Sequence, residues 1–245
     1  MLITPNNLPE STPPADAETM KTYMGMLAHE IRTQIAGICT ASSMLLEDGA
    51  KGKHTGLYLS HINTVGHNVL NVLNNMMATA TVGNGKLDIT LQYTSIQLRE
   101  WLKLHLQQYG LITAVRDIKL KTEVQRTVPE YITTDAIKLG QVLKNLIENA
   151  IKHSPSNAHI SIAVNPLGDN RLLFQVTDQG PGIPTDKTHL LFQPFRQLDQ
   201  GLAGIGLGLY ISKLYATSLG GDVMIGSNDK KGTTFLFLIT HQTTA

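Results

Sequence analysis

The stretch "DAIKLGQVLKNLIENAIKHS", Asp135 to Ser154, carries two patterns at once. Val142, Leu143, Leu146, Ile147, Ala150 and Ile151 recur at helical spacing, and this stripe predicts a helix over Thr134 to His153 packed against a core. The remaining residues cluster too. Asn145, Glu148, Asn149 and Lys152 stand at i, i+3, i+4 and i+7, which gathers them on a second face of the same helix. Amide and carboxylate oxygens suit a hard cation such as Mg²⁺, and an ammonium suits phosphate, so this face fits a nucleoside triphosphate with its metal. The plainer reading is a solvated surface with a Glu148–Lys152 ion pair, and a short motif alone does not choose between the two.

Downstream of that helix, "HISIAV", "RLLFQVTD", "DVMIG" and "TTFLFLIT" have the composition of strands, and Gly206 to Leu219 returns to helical spacing. Helices on one face of a mixed sheet make an α+β sandwich. Two loops in this region have chemistry of their own. "VTDQGPGIP" ends a strand at Asp178 and turns through Gly180, Pro181, Gly182 and Pro184. Its carboxylate can accept from an amino group while the glycines let backbone approach a flat ring. "GIGLGLYISKLYATSLGG" places Gly204, Gly206 and Gly208 at a helix start, where backbone N–H groups attract phosphate, and Gly220 and Gly221 at its stop. A dinucleotide-binding fingerprint would need a strand before these glycines and a third glycine where the chain has Leu209; "RQLDQGLA" precedes them instead.

Toward the N-terminus, Met20, Met24, Leu27, Ile31, Ile35, Ile38 and Leu45 form a narrow helical stripe. After the turn-rich "EDGAKGKHTG" a second stripe runs through Leu59, Ile62, Val65, Val69, Val72, Leu73 and Met76. An αα-hairpin of this kind cannot enclose a core alone and is expected to pair with a second copy in a four-helix bundle. His29, followed by Glu30, lies about 200° around the first helix from Leu27 and so points away from the stripe. "HEIRT" would suggest a zinc protease, but Thr33 stands where the second histidine ligand is required. The segment "MLITPNNLPESTPPADAE" has no hydrophobic periodicity and reads as a tail or the remnant of a linker, and "TVGNGKLD" breaks the second helix. The expected organisation is a tail over 1–18, a hairpin over 19–81, a linker over 82–90 and an α+β domain over 91–245.

Composition narrows the function classes. A net charge of +1 without a Lys/Arg-rich block gives no field for nucleic acid or an anionic membrane surface. The single cysteine, Cys39, rules out an internal disulfide and a Cys-rich zinc site, in keeping with a cytoplasmic setting. No apolar run is long enough to insert into a membrane.

Taken in order, "HEIRT", "NLIENAIKHS", "DQGPGIP", "LFQPFRQ", "GIGLGL" and "GTTF" closely resemble the phosphoacceptor, N, G1, F, G2 and G3 boxes of sensor histidine kinases. The resemblance covers nearly everything after residue 19. It implies a dimerisation and histidine phosphotransfer hairpin followed by an ATP-binding domain of the kind shared with gyrase-type ATPases. In that case His29 would be the phosphoacceptor, Glu30 its neighbouring acid/base, and Asn149 the Mg²⁺ ligand with Asn145 close by. Lys152 would approach the phosphates, Asp178 would accept from the adenine amino group, and Gly180 and Gly182 would shape the purine pocket. Gly204, Gly206 and Gly208 would flank the phosphates, Phe192 and Phe195 would anchor a mobile lid, and Thr233 belongs to the last box. Arg196 is not specified by the motif.

Thr33, three residues after Glu30, would orient a water for dephosphorylating the partner. The resemblance further implies a response regulator receiver domain and a second copy of the chain as partners, an upstream sensor region or protein, and a hinge near Gly83 and Gly85. The sequence departs from the family at Gln34, where proline is common, at Ala203, where glycine is common, and at His153, where an aromatic is frequent. Two rivals remain at this point: an ATP hydrolase of the gyrase or chaperone type, which needs a carboxylate near the position of Asn145, and a dimeric adaptor without catalysis.

Overall fold

The computed structural model of the chain describes residues 17–48, 52, 54–63, 65–66, 69, 89–168, 170–194, 196–197, 206–229 and 231–242. The chain divides into two compact units, Met1–Asp88 and Ile89–Ala245.

In the first unit, helix α1 spans Ala17–Asp48, and residues 55–63 are helical again after the turn. Thr55 holds that turn through its N–H and hydroxyl, which both donate to the Gly52 carbonyl at 3.2 and 2.9 Å. Gly37 lies where a Cβ would meet His61 Nε2 at 3.7 Å, so the two helical runs pack side by side as a hairpin. The packing covers little of the stripe. Ala41 and Val65 are buried, but Ile35 is 47% and Leu59 51% exposed. The side chains of Met20, Met24, Leu27, Val72, Leu73 and Met76, and the glycines at 83 and 85, lie outside the described residues.

The second unit runs β1 (Thr94–Gln97), α2 (Leu98–Gln107), α3 (Gly110–Val115), β2 (Lys119–Val124), β3 (Tyr131–Thr134), α4 (Ala136–His153), β4 (His159–Pro166), β5 (Arg171–Thr177), a 3₁₀ turn (Thr185–Leu190), α5 (Gly208–Ser218), β6 (Asp222–Asp229) and β7 (Gly232–Thr240). Five strands form one mixed sheet in the order β2-β4-β5-β7-β6, with only β2 and β4 parallel; β1 and β3 form a separate antiparallel pair. Alternate residues of β4 (Ile160, Ile162, Val164) and β5 (Leu172, Phe174, Val176) are fully covered, as period-2 patterning requires of a sheet with one packed face. Phe174 and Phe237 stack across β5 and β7 with centroids 5.5 Å apart. Leu139, Val142, Leu143, Leu146 and Ile147 of α4, with Leu98 and Leu102 of α2, complete this core. The expected α+β sandwich with a mixed sheet is what the chain builds.

Helix α4 starts at a strongly determined place. The buried Asp135 caps it, with Oδ1 accepting from the N–H groups of Ile137 and Lys138 at 3.1 and 3.0 Å. Its Oδ2 accepts from Gln92 N–H at 2.9 Å and from Lys138 Nζ at 2.7 Å. Burial works against ionisation, but these donors outweigh it and hold the carboxyl below the usual 3.8. A depressed carboxyl contributes stability above its unfolded pKa and loses it as pH falls through the folded value. Asp135→Ala is therefore expected to cost about 1–3 kcal/mol at neutral pH. Urea unfolding checks it, and the difference from wild type should close as pH drops below 3.8.

Candidate nucleotide-binding site

The polar face of α4 separates its two asparagines. Asn145 Nδ2 donates to Ser212 Oγ of α5 at 2.7 Å, and a Cβ at Gly208 would overlap Asn145 Oδ1. Asn145 is thus a brace between α4 and α5, and Gly208 is glycine so that the helices can close on it. Asn149, one turn on and half-buried, makes no hydrogen bond among the described residues, so its amide oxygen is free for a ligand. Lys152 is exposed in the last turn. Glu148 Oε1 lies 3.9 Å from Lys144 Nζ, and desolvation raises its carboxyl against the pull of Lys144. The end of α4 is held by Arg116, whose guanidinium donates to the carbonyls of Ile151 and, at 2.7 Å, of Ser154.

Asp178 stands at the end of β5, buried, with its N–H donating to the Thr233 carbonyl at 2.9 Å. Both hydrogen bonds to its carboxylate converge on Oδ1: Gly180 N–H donates at 2.7 Å and Thr233 N–H at 3.2 Å. Oδ2 accepts none among the described residues. Desolvation pushes this carboxyl up, and the two backbone donors and His153 only partly offset it. The result is a largely buried carboxylate whose Oδ2 is left open. Gly180 cannot be replaced there, because a Cβ would come within 2.9 Å of both Asp178 Oδ1 and the His153 carbonyl. Gly182 continues the loop at φ +75°, a conformation that favours glycine.

Phe192 packs against the core with Lys213 Nζ 4.9 Å above its ring, and Lys213 is itself paired with Asp222 at 3.1 Å. Arg196 is exposed. Gly206 has φ +71°, and α5 then opens without a side-chain cap, so its first N–H groups remain available to an anion. The helix stops in a Schellman arrangement, Gly220 N–H donating to Thr217 O and Gly221 N–H to Ala216 O. Phe195 and Gly204 lie outside the described residues, as do the side chains of His29 and Glu30. The backbone of His29 and Glu30 belongs to α1, on which Thr33 is exposed.

Sequence spacing missed Ser212, which fixes Asn145, and Asn228, which bonds to the loop after Gly182. Neither has a local signature, since each acts on a residue more than 40 positions away.

Residues 134–243 match the family described as "Histidine kinase-, DNA gyrase B-, and HSP90-like ATPase". The match lies wholly within the second unit. The match begins one residue before the Asp135 cap, so all of α4, the Asp178 loop, α5 and β7 fall within it.

The likeness extends beyond residues 134–243. The chain is 30% identical over 239 residues to the autoinducer 2 sensor kinase/phosphatase LuxQ of Vibrio parahaemolyticus, covering 94% of this chain and 28% of LuxQ. It is 28% identical over 227 residues to the signal transduction histidine-protein kinase BarA of Escherichia coli, covering 89% of this chain and 24% of BarA. The chain therefore spans about a quarter of the length of these relatives. The full-length ShkA structure in complex with AMPPNP shares the fold over 92% of this chain and 46% of its own, with a TM-score of 0.69 at 24% identity. No helix among the described residues is long and apolar enough to cross a membrane.

Proposed function

We propose that this chain is an ATP-dependent histidine kinase of two-component signalling, in which ATP held by the ATPase domain phosphorylates His29 and the phosphoryl group passes to an aspartate of a response regulator receiver domain. The observation that carries this reading is the extent of the likeness: it runs through the hairpin that bears His29 and Glu30, and gyrase-type hydrolysis has no use for that element. Asp178 Oδ2 is the acceptor for the adenine amino group, and Gly180 and Gly182 let the loop backbone approach the ring. Asn149 would hold Mg²⁺, a role its uncommitted amide oxygen fits, and the ion when bound would neutralise phosphate charge. Lys152, Gly204, Gly206 and Gly208 serve the phosphates, Asn145 keeps α4 and α5 in register beneath them, and Phe192 and Phe195 anchor the lid. The unprotonated imidazole of His29 attacks the γ-phosphorus, the bond from phosphorus to the β–γ bridging oxygen breaks and ADP leaves, while Glu30 orients the ring and takes up its proton.

A hydrolase reading is less well supported. The Asn145 side chain is an amide, not a base, and is held by Ser212, while Glu148 lies 3.9 Å from Lys144. Incubating the full chain with γ-labelled ATP and Mg²⁺ tests the kinase reading: acid-labile label on the protein is expected, followed by transfer to a member of a receiver-domain panel. Phosphate release without protein labelling would replace it with the hydrolase.

The half-covered stripe, with Ile35 and Leu59 open, supports a homodimer through the hairpin. Thr33, exposed one turn beyond Glu30, is assigned to removing phosphate from the regulator. Thr33→Ala should retain His29 labelling and transfer while slowing regulator dephosphorylation by roughly tenfold or more, the contribution of a positioned group. Parallel time courses in which both activities fall together, or neither falls, would remove Thr33 from that role.

A further inference from the structure

Asn228 sits where β6 departs from regular pairing. Ile225 pairs with Phe235 and Asn228 with Thr233, so β6 has one residue more than β7 between the two pairs. An extra residue shifts side-chain facing by one, and Asn228 lands on the side of the sheet occupied by Ile225. From there its amide engages one residue in both directions: Ile183 N–H donates to Oδ1 at 2.6 Å, and Nδ2 donates to the Ile183 carbonyl at 2.5 Å. A neighbouring strand would pair with Ile183 in the same way. Oδ1 also accepts from Thr233 Oγ1 at 3.3 Å.

Ile183 directly follows Gly182, and the other end of the loop is tied by Gly180 N–H to Asp178 Oδ1. Thr233 joins the two ties, its N–H on Asp178 and its hydroxyl on Asn228. The Gly180–Ile183 loop is thus fixed at both ends by side chains bridged through one residue of β7.

We propose that Asn228 is a positioning residue for base recognition: by clamping Ile183 it sets the height of the Gly180–Ile183 loop over Asp178 Oδ2, and so sets the preference for a 6-amino over a 6-oxo purine. This rests on the ATP-binding reading of the Asp178 site. The clamp acts on the shape of the pocket and touches neither phosphate nor metal.

Equilibrium titration of the full chain with ATP and ITP, well below its unfolding temperature, tests the clamp. Wild type should bind ATP more tightly than ITP. Asn228→Ala, which deletes both bonds to Ile183, should weaken ATP binding about tenfold and reduce the ATP/ITP preference by at least about threefold. Asn228→Asp sets a carboxylate oxygen against the Ile183 carbonyl and should lose the preference too; it carries the test if the alanine variant does not fold. An unchanged preference in a folded variant, including the case in which both nucleotides weaken equally, would overturn the clamp while leaving the nucleotide site in place. Failure of wild type to bind either nucleotide would overturn the ATP reading and the clamp with it.

Discussion

His29→Gln is expected to abolish labelling of the chain by γ-labelled ATP, to background, while nucleotide affinity should stay at the wild-type level. The first half is expected because glutamine keeps a polar side chain of similar reach but has no nitrogen lone pair able to attack phosphorus. The second half follows from the division of the chain: His29 belongs to the unit ending at Asp88, and Asp178, Asn149 and the α5 N-terminus belong to the unit beyond it. Binding and phosphorylation should thus be separable by mutation. The check is labelling followed by acid treatment, alongside titration with a fluorescent ATP analogue. Acid-labile label persisting on the variant would assign the phosphoacceptor elsewhere.

Asp178→Asn is expected to weaken ATP binding by roughly tenfold to more than a hundredfold, the equivalent of losing a charged hydrogen-bond partner worth about 1.5–3 kcal/mol. The fold should survive the change, since an asparagine carbonyl can still accept from Gly180 and Thr233 N–H. What changes is the other atom. An NH₂ group in place of Oδ2 presents donor to donor against the adenine amino group.

The raised pKa of Asp178 adds a pH signature. A carboxyl raised in the folded state holds its proton more tightly there, so it favours the fold at low pH, and that contribution is lost as pH rises through the folded value. If Asp178 accepts from the adenine amino group as proposed, nucleotide binding should favour the ionised form and run the other way. ATP affinity should fall as pH drops through a value above the usual 3.8, and the asparagine variant should show no such step. Unchanged affinity in that variant at neutral pH would remove Asp178 from base recognition.

Much of the second unit was legible before any coordinates. The stripe from Val142 to Ile151 located α4, and the strand-like runs located β4 to β7, because each element buries one face and its period repeats within a few residues. Between residues 91 and 133 the pattern fails for a physical reason. Strand β2, "KLKTEV", lies at the sheet edge with only Leu120 and Val124 half-covered, and β1 pairs with β3 alone, so neither shows a clean alternation. In the hairpin the stripe was visible, but a single copy leaves Ile35 and Leu59 half-open.

By itself the sequence determined the α+β class, the position of the helix bearing Asn145 and Asn149, the glycine-rich loops and the adjacent His29–Glu30 pair. These are local properties, since periodicity, turn chemistry and motif spacing are written within ten or twenty consecutive residues. Only the tertiary structure decided that Asn145 is a brace while Asn149 stays uncommitted, because the deciding partner, Ser212, comes from a helix 67 residues away. It also decided that Asp178 keeps Oδ2 open, since Thr233 reaches Oδ1 from a strand 55 residues on, and that Asn228 faces the loop at all, since one extra residue in β6 turns it there. Hydrogen-bond partners of buried polar groups are set by which segments meet in space, and spacing along one segment has no means of recording that.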